Sequence, residues 1–103
     1  EAQDITPELA ESFKLKNTSG SLIAGVIKDS PAERAGLRSG DILLGINGHQ
    51  VFNSSSMLNL ISDLKPNKLA SLQIARNQKV MNISVMIGLR PSPEMIRNKV
   101  LEN

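Results

Sequence analysis

The chain has 103 residues, with 12 Lys and Arg against 10 Asp and Glu, and it contains no Cys, Trp or Tyr. This length is typical of a single domain with one modest core. Basic residues are scattered and have no aromatic residues between them, which argues against nucleic-acid binding. No apolar run approaches the ~20 residues that a membrane-spanning helix needs. Without Cys, neither a disulfide framework nor a thiolate metal site is possible.

The first part of the chain predicts a strand, a helix and a second strand. Glu1 to Ile5 alternates weakly between apolar and polar residues and predicts a short strand. Thr6-Pro7 begins a helix, because a Thr hydroxyl caps the first turn and Pro at the first helical position leaves no N–H unpaired. Asn17 to Gly20 has turn composition, and the apolar run from Leu22 to Ile27 predicts a buried strand.

The middle of the chain carries the strongest local signals. Ser30-Pro31 repeats the helix start, and Gly36 supplies the positive φ that ends the helix after little more than one turn. Asp41 to Ile46 has the length and apolar content of a strand. Asn47-Gly48 then predicts a type I′ hairpin turn, because both of its central positions require positive φ.

The last third predicts one longer helix and a hairpin. Apolar residues recur at three- and four-residue steps between Ser54 and Leu64, which is typical of an amphipathic helix. Leu69 to Ala75 and Val80 to Ile87 predict two strands joined around Asn77-Gln78. Beyond residue 88 the composition changes, and we interpret 89–103 as a linker or marginal helix that leads to a following domain.

The element order β-α-β-α-β-β-α-β-β predicts an α+β fold. We expect a partly open β-barrel or sandwich of five to six strands, capped by two main helices. No internal repeat or low-complexity segment interrupts this order.

One motif resembles a known family. The order S-P-A-x-x-A-G-L-x-x-G-D-x-[IL]-x-x-[IV]-N-G, which starts at Ser30, resembles the PDZ domains of bacterial HtrA/Deg serine proteases. The opening from Ile5 to Ala10 resembles the first PDZ domain after the protease domain. The resemblance implies that 1–88 is a PDZ domain, and that its parent is a periplasmic, homo-oligomeric serine endopeptidase.

The residues themselves do not assemble a catalytic group. His49, the only His, follows a turn and is interpreted as solvated. Ser54-Ser55-Ser56 is better explained as a helix start than as a nucleophile. Asp and Glu show no spacing typical of an acid–base pair or a metal site. We therefore expect no catalysis by this domain, no cofactor and no metal ion.

Peptide binding is the stronger hypothesis. The resemblance implies β-augmentation, in which a ligand adds a strand to a sheet edge and a loop binds its carboxylate. In the family that loop precedes the position of Glu1, so we expect carboxylate binding by this polypeptide to be incomplete. The alternative reading of the apolar helix stripe is core packing. The expected peptide-binding residues are Glu1, Ala2, Gln3, Asp4, Ile5, Met57, Leu58 and Ile61.

Two functions remain open from the sequence. The first is capture of apolar C-termini or extended segments of misfolded proteins, with regulation of the activity or assembly of a protease domain in the same chain. The second is an interaction module of a secretion or membrane-protease system that docks a fixed partner. In neither case do we expect nucleic acid or a membrane as a partner.

Overall fold

The computed structural model describes residues 1–88 of the chain. Its nine elements follow the predicted order. The predicted linker or marginal helix at 89–103 lies outside the described residues. Within 1–88 no helix has the length and apolar content to cross a membrane. The elements are β1 (Ala2–Asp4), α1 (Pro7–Ser12), β2 (Ser21–Ile23), α2 (Pro31–Ala35), β3 (Ile42–Ile46), β4 (His49–Gln50), α3 (Ser54–Ser62), β5 (Leu69–Arg76) and β6 (Lys79–Met86).

All six strands join one antiparallel sheet, in the order β1-β2-β3-β5-β6 with β4 paired to β3. β1 therefore lies at one end of the sheet and has a strand neighbour on one side only. The hairpin of β5 and β6 is in register along its whole length, from Leu69 opposite Met86 to Arg76 opposite Lys79. Open sheet and helices together confirm the predicted α+β fold.

Each helix begins at a side-chain cap, and two of the three caps, Thr6 and Ser30, are the helix starts that the sequence predicts. The side chains of Thr6, Ser30 and Asn53 each accept a hydrogen bond from the backbone N–H three residues later, at 3.1, 3.2 and 2.9 Å. Gly36 ends α2 with φ of 100°. Asn47 and Gly48 have φ of 49° and 82°, as the predicted hairpin turn requires.

β2 is shorter than predicted. The expected strand from Leu22 to Ile27 ends at Ile23, because the N–H groups of Ala24 and Gly25 both donate to one acceptor, Glu1 O, at 2.9 and 3.3 Å. Two successive donors on one carbonyl interrupt the ladder, as in a β-bulge. The rest of the apolar run leaves the sheet there and is free to line another surface.

The sheet buries apolar side chains on both faces. Because strand side chains alternate between faces, neighbours in sequence enter different clusters. A small cluster under α1 consists of Ile5, Ala10, Leu22 and Ile42. A larger cluster beneath α2 and α3 consists of Ile23, Leu43, Ile46, Val51, Met57, Leu72, Ile74, Ile83 and Val85.

Candidate functional site

An open groove of about 700 Å³ runs between β1 and α3 and continues toward α2. Its surface is mainly apolar. Three parts of the fold supply the walls: the start of β1, one side of α3, and a set of residues around α2 and the end of β6. The apolar residues are Ala2, Ile23, Val26, Ile27, Pro31, Ala32, Leu37, Met57, Leu58, Ile61, Val85 and Ile87.

The α3 wall follows from helical periodicity. Met57, Leu58 and Ile61 lie on neighbouring faces, since residues three and four apart stack along one side of a helix. Met57 is buried in the larger core cluster, whereas Leu58 is 61% exposed. The stripe thus serves both of the roles that the sequence left open: its inner part is core and its outer part is groove.

The backbone of β1 is open along the groove. Glu1 O accepts from Ala24 N, so the Glu1 carbonyl faces β2. In an antiparallel pair, successive residues direct their N–H and C=O groups to opposite sides. The backbone groups of Ala2 and Asp4 therefore point away from β2, along the outer edge of the sheet. An extended chain placed there has donors and acceptors to pair with.

The structure brings together five of the eight residues predicted for binding. These residues line the groove: Glu1, Ala2, Met57, Leu58 and Ile61. The Asp4 side chain instead contacts the start of α3, where its Oδ1 accepts from Ser54 N at 2.7 Å.

Ile5, which we expected among the peptide-binding residues, lies outside the groove. Its side chain is 7% exposed and packs under α1 with Ala10, Leu22 and Ile42. The physical reason is the alternation of strand side chains. Ala2 faces the groove, so residues an odd number of positions away, Gln3 and Ile5, face the opposite side of the sheet.

Sequence reasoning missed the wall around α2. Val26 and Ile27 were interpreted as the end of a buried strand, yet both line the groove, and Ile27 is 75% exposed. One signal in the sequence could have predicted this: Ala24-Gly25 interrupts the apolar run, and Gly inside a strand weakens it and often marks a bulge or bend. The chain leaves the strand ladder at this point. Val85, near the end of β6, and Ile87, just after it, reach the same wall from more than fifty residues later in the chain, and no local pattern predicts that.

A partly buried ion pair supports the turn that carries Leu37 into the groove wall. Arg76 donates from Nε to Asp41 Oδ1 at 2.8 Å and from a terminal nitrogen to Asp41 Oδ2 at 2.7 Å. The same Arg76 donates to Gly36 O at 2.7 Å, and Arg38 N donates to Asp41 Oδ2 at 2.9 Å. The residues on both sides of Leu37 are therefore fixed by one pair of charges.

The electrostatics of this pair favour its charged form. Burial by itself raises the pKa of the Asp41 carboxyl, but the hydrogen bonds from Arg76 and Arg38 and their positive charges outweigh it and hold the pKa below its ordinary value. The carboxylate in turn raises the pKa of Arg76. Both groups are charged throughout the physiological pH range.

Potential catalytic groups are dispersed over the described residues. His49 is exposed, in agreement with its interpretation as a solvated side chain. Ser54 and Ser56 form the first turn of α3, and the Ser56 hydroxyl accepts from Asn53 N in a capping box. Residues 1–88 hold no group of three or more His, Cys, Asp or Glu with the geometry of a metal site.

The comparisons with known proteins agree with this geometry. The family model described as PDZ domain matches residues 7–87. The chain belongs to the PDZ domain family. Within the family, the PDZ domain is similar to DegP-like periplasmic serine endoproteases: it is 41% identical to the protein of Marinomonas sp. over 90 residues, and 37% identical to that of Hahella chejuensis over 92 residues.

These alignments cover 87% and 89% of this chain but only 19% and 20% of the relatives, so the chain spans about a fifth of their length. The predicted resemblance to HtrA/Deg PDZ domains is confirmed. These relatives are named as periplasmic proteins, which agrees with the location that the resemblance implied.

Solved structures show the same fold. The HtrA-type protease AlgW with a decapeptide superposes with a TM-score of 0.79 and 38% identity, over 90% of this chain and 29% of that one. The HtrA3 PDZ domain bound to the phage-derived ligand FGRWV superposes with a TM-score of 0.70 and 26% identity, over 84% of this chain and 78% of that one.

Proposed function

We propose that this PDZ domain binds the carboxyl ends of polypeptides, or extended segments of misfolded proteins, by adding them as a strand to the outer edge of β1. The observation that carries the proposal is the apolar groove that lies directly beside that edge. The ligand backbone pairs with Ala2 and Asp4, and its apolar side chains enter the groove against Leu58 and Ile61.

The chemistry of the groove favours ligands with apolar ends. Its walls offer aliphatic side chains and the thioether of Met57, a flexible and polarizable group that adapts to ligands of different shape. Strand addition uses backbone hydrogen bonds and so makes small demands on ligand sequence. Both properties suit the capture of unfolded chains, which expose apolar residues and unpaired backbone.

Related proteins support this proposal. The AlgW structures contain a decapeptide or a tripeptide, and the HtrA3 PDZ domain holds a pentapeptide that ends in Val. The relatives are named serine endoproteases. We propose that the parent of this domain is a homo-oligomeric periplasmic serine endopeptidase, and that peptide binding here regulates its activity or assembly.

A titration followed by amide NMR tests the binding. The probe is a short peptide that ends in Val, with a free carboxylate and, separately, as the amide. We expect shifts confined to residues 1–5, 54–64 and the wall around α2. Weaker binding of the amide indicates carboxylate recognition, and equal binding indicates recognition of extended segments. Shifts that avoid the groove contradict the proposal.

Two exposed leucines provide a matched pair of variants. Leu58 is 61% exposed and lines the groove, whereas Leu69 is 65% exposed and lies on β5, away from it. We expect Leu58→Asp to weaken peptide binding by about tenfold or more, because burial of a Leu side chain contributes ~1.5–3 kcal/mol and 1.4 kcal/mol is tenfold. Leu69→Asp should leave the affinity unchanged. Equal effects of the two substitutions contradict the groove assignment.

A further inference from the structure

β6 forms the second open edge of the sheet. Within residues 1–88 it pairs with β5 alone, along all eight of its residues. Ile87, which follows β6, donates to Lys68 O and accepts from Asn67 N, each at 2.9 Å, so its backbone groups face β5. Successive residues of an antiparallel strand direct these groups to opposite sides. The N–H and C=O groups of the even-numbered residues of β6 therefore point away from the sheet.

This edge has little protection against pairing with another strand. Natural edge strands are protected by charged side chains, Pro, bulges or short length. β6 has eight residues in unbroken register with β5, contains no Pro and carries one charge, Lys79, at its hairpin end. Each outward residue presents one backbone donor and one backbone acceptor. The edge is therefore suited to accept another strand along its whole length.

The side chains along this edge form a pattern that is the same in both directions. The outward residues are apolar, polar, polar and apolar: Val80, Asn82, Ser84 and Met86. All four are exposed, Val80 by 61% and Met86 by 52%. A two-fold axis at Ile83 places Val80 opposite Met86 of a second copy, and Asn82 opposite Ser84 of that copy. Such pairing of one surface with itself is the commonest arrangement in protein dimers.

We propose that β6 binds β6 of a second copy of this chain, antiparallel and about a two-fold axis at Ile83. The two sheets then continue as one. Within each copy Leu69 lies opposite Met86, and Ala75 lies opposite Val80. The pairing extends these contacts into a row of four apolar residues across four strands: Leu69 and Met86 of one copy, then Val80 and Ala75 of the second. Leu69 is itself 65% exposed, so the row gives exposed apolar side chains apolar neighbours.

Charge favours the antiparallel orientation. In this register Lys79 lies opposite Ile87 of the second copy, and the two Lys79 residues are eight steps of ~3.3 Å apart along the strands, or about 26 Å. A parallel arrangement would place the two Lys79 side chains beside each other, and like charges that face each other destabilise a sheet. The antiparallel pair avoids this repulsion.

The size of the interface sets the strength of the dimer. A standard interface contains about 20–30 residues a side, more than one strand edge offers. We therefore expect a weak dimer with a dissociation constant on the order of 0.1 mM, as in transient complexes of small buried area. The association does not depend on peptide binding, because β1 and β6 lie at opposite ends of the sheet.

Disulfide trapping tests the register. The chain contains no Cys, so Val80→Cys and Met86→Cys each carry a single thiol. In the proposed dimer, position 80 of one copy and position 86 of the other have Cα atoms about 5.5 Å apart, a distance that a disulfide bridges. Two copies of position 80, or two of position 86, are six steps of ~3.3 Å apart, or about 20 Å.

An equimolar mixture of the two Cys variants under mild oxidation should therefore give the mixed dimer, in at least about tenfold excess over either disulfide-linked homodimer. Each variant oxidised alone should remain largely monomeric. Mixed and homogeneous dimers in the proportions of random collision overturn the proposed register.

Sedimentation equilibrium measures the association itself. We expect the wild-type chain to be mainly monomeric at about 10 µM and mainly dimeric at about 1 mM. Met86→Lys places an ammonium group against Val80 in both halves of the dimer and should weaken association at least about tenfold. Phe52→Lys is the matched control: Phe52 is 57% exposed and lies outside β6, and this variant should associate as the wild type does.

Two results of the sedimentation measurement would overturn the proposal. One is a wild-type chain that stays monomeric at about 1 mM, which is also the result if another segment of the chain or another protein occupies the edge. The other is equal weakening by Met86→Lys and Phe52→Lys, which indicates that a different surface forms the dimer. Failure of the peptide titration would overturn the proposed function and leave this dimer unaffected.

Discussion

Replacement of Asp41 by Ala tests whether the partly buried ion pair with Arg76 stabilises the fold and the groove wall. Asp41 is 1% exposed and accepts three hydrogen bonds, two from the Arg76 guanidinium and one from Arg38 N. The substitution removes all three acceptors at once. It leaves Arg38 N and part of the guanidinium without a protein partner, on either side of the turn that presents Leu37.

The magnitude follows from what remains after the substitution. Removal of one partner from a buried ion pair typically costs about 3–5 kcal/mol, because the other charge stays uncompensated. Arg76 retains its hydrogen bond to Gly36 O, and 22% of its side chain is exposed to water. We therefore expect the lower end, a loss of about 3 kcal/mol in the free energy of unfolding. In a domain of this size, 1 kcal/mol shifts Tm by about 4–8 °C, so the loss corresponds to about 12–24 °C.

The assay is urea and thermal unfolding followed by far-UV circular dichroism, because the chain contains neither Trp nor Tyr for fluorescence. Asp63→Ala is the control. It removes an exposed carboxylate from the end of α3, and the free energy of unfolding should change by no more than about 0.5 kcal/mol. A loss below about 1 kcal/mol in Asp41→Ala would refute the role assigned to the pair.

Three further predictions concern the same fold. The folded-state pKa of Asp41 lies below its ordinary value of ~3.9, so its contribution to stability is fully present above that value and is lost as the pH falls through the lowered pKa. The difference in unfolding free energy between wild type and Asp41→Ala should therefore shrink at acid pH; a constant difference contradicts the linkage. Ile74 is 0% exposed, and Ile74→Ala should cost about 3–4 kcal/mol, measured by urea unfolding. The exposed Leu69→Ala, as its control, should cost far less. At Gly36, φ is 100° and an added Cβ meets nothing within 4 Å, so Gly36→Ala should cost about 1–2 kcal/mol from backbone strain alone; an unchanged midpoint in the same assay would argue against that strain.

The elements were predictable from the sequence because their causes are local. Thr6, Ser30 and Asn53 cap helices through bonds that reach three residues, and Gly36 ends a helix through its own φ. None of these signals depends on distant parts of the chain. Where a distant partner determines the end of an element, the prediction from sequence was wrong. β2 ends early because the Glu1 carbonyl, more than twenty residues away, accepts hydrogen bonds from two successive N–H groups.

The groove was only partly predictable for the same reason. Met57, Leu58 and Ile61 follow from helical spacing, and β1 follows from its alternation. Ile5 lies three positions after Ala2, so the alternation of strand side chains would also have excluded Ile5 from the groove. The wall around α2 depends on the position of β6 in three dimensions. The spacing of residues within one segment gives no information on that position.

The division of α3 between core and groove decides where ligand preference can vary. Met57 and Leu58 are neighbours in sequence and differ by about 100° around the helix. That rotation takes the side chain from 6% to 61% exposure. A substitution at Met57 changes the core and the groove together, because this side chain lines the groove and belongs to the larger core cluster with Ile46 and Ile74. A substitution at Leu58 changes the groove surface while the core keeps its contacts. Leu58 is therefore the α3 position at which the ligand pocket can be altered without loss of the fold.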